Sequence, residues 1–110
     1  MLSVKDIVEI NKDFSNGNLI NKSSLEFALS SARKSKDWVT QLAYLVRSIA
    51  LDHVFEEGNK RTAVAVMLAY VEAHKKGYDI NKLEKLTIRI ITKQISDIAK
   101  IRRLIKDGIW

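Results

Sequence analysis

Residues 63–71 read Ala-Val-Ala-Val-Met-Leu-Ala-Tyr-Val, nine apolar positions without a break. A helix carrying that run is apolar on nearly every side, so it has to sit inside a shell of other elements. The run is far below the roughly 18 residues needed to cross a bilayer. Asn59 after Gly58 at one end and Gly77 at the other set its limits, predicting a helix from Asn59 to about Lys76, roughly 27 Å long at about 1.5 Å per residue. The expected fold class is all-α, a compact bundle of about six helices around this central one, forming a single domain over residues 1–110.

The remaining sequence agrees. There is no proline, there are only four glycines, and the apolar spacing is mostly helical. Ser3 and Asp6 form an approximate capping box for a first helix running to about Asp13, with Val4, Ile7, Val8 and Ile10 on one face. Ser15-Asn16-Gly17-Asn18 reads as a connection between helices. Ser23 or Ser24 is expected to cap a second helix that stops in the polar stretch Arg33 to Lys36, and Asp37 a third that carries Leu42, Leu45, Val46 and Ile49. After the long helix, Asn81 or Lys82 opens a fifth to about Thr92 and Ser96 a sixth to about Lys106.

Without cysteine there are neither disulfides nor thiolate metal sites, which fits a reducing compartment, and with no charged start ahead of an apolar segment the expected location is the cytoplasm, with no membrane partner. The net charge is +6 and lies in the second half: residues 1–55 carry seven Lys or Arg against six Asp or Glu, residues 56–110 twelve against seven. Such a surface admits phosphates, nucleic acid or an acidic protein. Arg102 and Arg103 would suit phosphates, but the turn at Lys93 to Ser96 has no glycine and the preceding helix offers few base-reading side chains, so nucleic acid is not the expected partner. His74 near the end of the long helix reads as structural, and Trp38 and Trp110 as packing residues rather than nucleotide platforms.

The chemistry concentrates in His53-Val-Phe-Glu-Glu-Gly-Asn-Lys-Arg-Thr-Ala63. Lys60 and Arg61 stand where a helix begins, against the positive end of its dipole, an arrangement that a bound anion relieves. Gly58 lets backbone approach a ligand, Asn59 can cap the helix, and the free amides of its first turn converge on one spot. Arg61 offers a planar fork to phosphate oxygens and Lys60 a mobile charge. His53 is a base for a hydroxyl near neutral pH. Of the two carboxylates, Glu57 is the better placed to hold a magnesium ion alongside phosphates, and Phe55 should anchor the loop in the core.

At these positions the sequence resembles the Fic/Doc superfamily, whose motif reads H-x-F-x-[D/E]-[A/G]-N, a variable residue, then R; here it is His53, Phe55, Glu57, Gly58, Asn59, Lys60 and Arg61. Lys60, and Val64 in place of a second arginine, resemble the Doc (death-on-curing) toxin branch rather than typical Fic adenylyltransferases, which have glycine and arginine there. The resemblance implies a Fic fold, His53 as catalytic base, Glu57 as metal ligand, and Gly58, Asn59, Lys60 and Arg61 as the holders of ATP or another nucleoside triphosphate with Mg²⁺. It further implies transfer of the terminal phosphate to a threonine or serine of a target protein such as elongation factor Tu, with a separate antitoxin as restraint, since no Ser/Thr-x-x-x-Glu-Gly/Asn inhibitory spacing is present. Protein adenylylation on the same fold is the alternative activity, and an idle binding module the alternative of another kind. The segment Arg33 to Trp38, where the family has a target-aligning flap, is short and leaves little room for a hairpin.

Overall fold

A computed structural model describes residues 1–110. Six helices follow one another: α1 (Val4–Asn11), α2 (Lys22–Arg33), α3 (Trp38–Leu51), α4 (Asn59–Ala73), α5 (Ile80–Lys93) and α6 (Ile98–Asp107). No sheet forms; extended pairing is confined to two isolated antiparallel bridges, Leu19 with Phe55 and Tyr78 with Ile109. The all-α class and the number of helices are those the spacing predicts. No helix is long and apolar enough to cross a membrane.

The centre is shared by two helices. α3 touches α2, α4, α5 and α6 and buries Val39, Leu42, Leu45, Val46 and Ile49, while α4 packs on α3 with α1 and α5 beside it. One continuous apolar core joins all six helices and takes in Phe55 from the α3–α4 loop. α4 is not apolar to the core all round, as its composition suggests: Thr62, Ala63, Val66, Met67, Tyr70 and Val71 are buried, but Val64, Ala65 and Leu68 are half-buried along an open cavity. It also ends three residues before Lys76. The terminator is Lys75, in the left-handed conformation at φ 54°, after which the Lys76 amide closes back on the Val71 carbonyl at 3.0 Å. Gly77 serves another purpose, described below.

The caps also differ from expectation in an instructive way. α1 has the Ser3–Asp6 box and α3 has Asp37, as read. α2, α5 and α6 are capped by Asn21, Asp79 and Asp97, not by Ser23 or Ser24, Asn81 or Lys82, and Ser96. In α2 and α5 the capping Asx stands two or three positions upstream of the expected residues, and in α6 one position downstream, each reaching the free amides that open its helix. That releases the Ser24 hydroxyl to tie α2 to α3, at 2.7 Å from the Ser48 hydroxyl and 2.5 Å from the Asp52 carboxylate. Between α2 and α3 lies a turn of four residues with no strand in it.

Asp37 does more than cap. Its carboxylate accepts from the Thr40 hydroxyl at 2.7 Å and from Arg102 Nε at 2.6 Å, which fastens α6 to the start of α3. The Thr40 hydroxyl foremost, and Arg102 with it, hold its pKa down at about 2. A carboxylate with a depressed pKa contributes its stability above the ordinary value of 3.8 and loses it as the pH falls toward 2. Asp37→Ala should lower stability by about 1–2 kcal/mol at neutral pH, and urea denaturation should show that difference shrinking between about pH 4 and pH 2; a deficit independent of pH would refute the charged partnership. Arg102 is thereby occupied within the protein. His74 is structural as expected: it ends α4, its Nδ1 lies 2.8 Å from the Tyr70 carbonyl, and its ring stacks on Trp38 at 4.2 Å.

Candidate active site

The loop from Asp52 to Gly58 alternates between core and solvent. Val54 and Phe55 are fully buried, as expected for the anchor, and His53, Glu56 and Glu57 are exposed. His53 follows the last turn of α3 directly, in the left-handed region at φ 50°. Few side chains accept that backbone, histidine being among the better ones. Strain of this kind is held only where surrounding contacts over-determine it.

Those contacts come from the α1–α2 connection. The Val54 carbonyl accepts from the amides of Ile20 (2.9 Å) and Asn21 (3.1 Å), and the Glu56 amide donates to the Asn18 carbonyl at 3.0 Å. Asn21 Nδ2 donates to the Asp52 carbonyl at 2.8 Å, and Asn18 Nδ2 to the Glu56 carboxylate at 2.7 Å. Glu56 is therefore engaged at the loop's edge, and Glu57 is the carboxylate left facing the ligand side.

At the other end of the loop, Gly58 takes φ 77° and stands at the N-cap position of α4 without any side-chain cap. A Cβ there would also press on Asn11 Nδ2 at 3.2 Å. Asn59 does not cap the helix, contrary to the sequence reading. Its Oδ1 accepts from the Phe55 amide at 2.9 Å and its Nδ2 donates to the Phe55 carbonyl at 2.8 Å, so the side chain locks the loop into a ring. What Asn59 can present to an anion is its backbone N–H.

The first bond of α4 runs from the Thr62 amide to the Gly58 carbonyl at 2.9 Å, which leaves the amides of Asn59, Lys60 and Arg61 free. All five other helices have a side-chain cap. Lys60 and Arg61 are exposed and take no part in either of the chain's two ion pairs. They line, with Glu57, Gly58, Asn59 and Phe14, an open cavity of about 420 Å³. A second cavity of about 330 Å³ adjoins it along α4, sharing Phe14, Lys60 and Arg61. Three free amides, two cations and one carboxylate thus face the same space, an arrangement suited to a phosphate chain.

A magnesium ion fits that donor set. No three His, Asp or Glu side chains gather into a resident metal centre. One exposed carboxylate beside a phosphate cradle is what Mg²⁺ requires when it shares ligands with a nucleotide and keeps its waters. Of the residues picked out by sequence, Glu57, Gly58, Asn59, Lys60 and Arg61 come together at this cavity; His53 is not among its lining and stands at the far end of the loop.

One residue escaped the sequence reading. Asn11, fully buried at the end of α1, donates from Nδ2 to the Glu57 carbonyl and the Thr62 hydroxyl, each at 3.0 Å, and accepts from the Gly17 amide at 2.9 Å. The signal for it was a polar residue four positions after Ile7, on the apolar face of an amphipathic helix.

A family model described as Fic/DOC family matches residues 2–71, from the start of α1 through most of α4, and so covers every residue of the site. No curated protein and no solved structure matches the chain.

Proposed function

The chain belongs to the Fic/Doc family, and from that premise we propose that it transfers the terminal phosphate of a nucleoside triphosphate to a threonine or serine hydroxyl of a target protein, in the manner of a Doc-type toxin. The observation that carries this reading is the uncapped start of α4, where three free amides and the unpaired Lys60 and Arg61 border one cavity with Glu57. A triphosphate seated there relieves both the empty hydrogen-bonding positions and the repulsion of two cations from the helix dipole.

In the proposed reaction the phosphates lie against the amides of residues 59–61, with Arg61 bridging two oxygens and Lys60 a third. Gly58 allows the close approach. Glu57 holds the magnesium ion, which when bound offsets charge on the transferring phosphoryl group. His53 takes the proton from the target hydroxyl as its oxygen bonds to the terminal phosphorus; the bond from that phosphorus to the bridging oxygen breaks, and the nucleoside diphosphate leaves. Phosphoryl transfer draws most of its acceleration from positioning and charge stabilisation, so a small scaffold is sufficient. Lys60 in the motif and Val64 one turn on favour phosphate over nucleotidyl transfer, because the second arginine of the adenylylating branch is missing. A translation factor such as elongation factor Tu as target, and a separate antitoxin as restraint, follow from the same likeness.

The test uses two labels. Incubated with a cell lysate, the protein should pass label from the terminal phosphate of ATP, and not from the alpha phosphate, to another protein. Alpha-label transfer would instead identify an adenylyltransferase, and no transfer of either label from any nucleoside triphosphate would leave the idle binding module. Glu57→Ala should abolish the dependence of nucleotide binding on magnesium, as measured by calorimetry with and without the ion; wild-type affinity that ignores magnesium would refute the role given to Glu57.

A further inference from the structure

A cavity of about 280 Å³ that shares no residue with the phosphate cradle is lined by Asp37, Trp38, Lys76, Lys106 and Trp110 among others. It holds both tryptophans of the chain. The sequence suggests packing roles for the two, but Trp110 is 73% exposed, more than any other large hydrophobic residue. Its position is nevertheless fixed. Its backbone exchanges hydrogen bonds with Gly77 in both directions, at 3.0 and 2.9 Å, and its indole rests on Gly77 so closely that a Cβ there would collide with it. That is the purpose Gly77 serves. Trp38 is braced on one side by the His74 ring, nearly parallel to it at 8°.

The charge available to a ligand is positive. Lys76 and Lys106 are exposed and belong to neither ion pair. Asp37 is already held by Thr40 and Arg102. Two lysines disfavour a cationic ligand, although indoles alone would accept one. Indoles beside unpaired cations are the recurring means of holding a nucleotide, whose base stacks while its phosphate is neutralised. The volume is just under the roughly 300 Å³ at which small-molecule pockets begin.

We infer that this cavity is a second anion site that takes a nucleotide unit, base against the indoles and phosphate between Lys76 and Lys106. The inference uses none of the residues assigned to transfer and stands or falls apart from that assignment. Because both tryptophans line the cavity, intrinsic fluorescence reports on it directly. AMP and a single-stranded hexa-adenylate, each added to the full chain, distinguish the free nucleotide from a unit of a strand. At least one should quench the emission saturably. Affinity should fall at least tenfold in Lys76→Glu/Lys106→Glu and also in Gly77→Ala, which displaces the Trp110 indole while circular dichroism stays native. It should be unchanged in Lys60→Ala/Arg61→Ala. Absence of saturable quenching by both probes overturns the inference, as does binding that is lost with Lys60 and Arg61 but survives the change at Lys76 and Lys106.

Discussion

His53→Ala is expected to lower phosphate transfer by about 10²–10⁴-fold, the contribution typical of a positioned general base, with little change in nucleotide affinity. The imidazole does not line the phosphate cavity, so its removal should act on the rate and spare the binding step. Alanine is a poor occupant of the left-handed backbone at this position, where φ is 50°. His53→Asn therefore serves as the companion variant, because asparagine tolerates that conformation yet cannot accept the proton. Both should be comparably inactive, and the asparagine form should unfold at a wild-type urea concentration. Transfer at more than about a tenth of the wild-type rate in His53→Asn would remove histidine from the base role.

Asn11→Ala should produce the largest loss of stability of any single change near the site, about 3 kcal/mol. The side chain is fully buried and serves three partners, the Glu57 carbonyl, the Thr62 hydroxyl and the Gly17 amide. Alanine removes all three hydrogen bonds, leaves the buried Thr62 hydroxyl without this partner, and opens a void. A loss of that size corresponds to a melting temperature lower by about 10–20 °C in a domain of this length. In protein that remains folded at low temperature, magnesium-dependent nucleotide binding should also weaken, since Asn11 fixes the residues on either side of Gly58. A denaturation midpoint indistinguishable from wild type would mean that the three bonds contribute no net stability.

The parts of this molecule that were legible in the sequence are those governed by local rules. Periodicity marks all six helices, Asp37 and the Ser3–Asp6 pair cap as their types predict, and Phe55 anchors its loop in the core. What the sequence concealed depends on contacts across the chain. Ser24 looks like a cap but bridges helices, Asn59 looks like a cap but closes a ring on Phe55, and Asn11 looks like a helix end but braces a loop 46 residues away. Trp110 is the opposite case. Its composition suggests the core, and only the backbone pairing with Gly77 explains how it is held at the surface.

The ring that Asn59 closes on Phe55 also bears on kinetics. A loop already fixed on both sides has little conformational freedom to surrender to a ligand, so nucleotide uptake is expected to be governed by encounter and not by a slow rearrangement. With Lys60 and Arg61 unpaired at the entrance, the association rate for a polyanion should drop steeply as ionic strength rises, while dissociation changes far less.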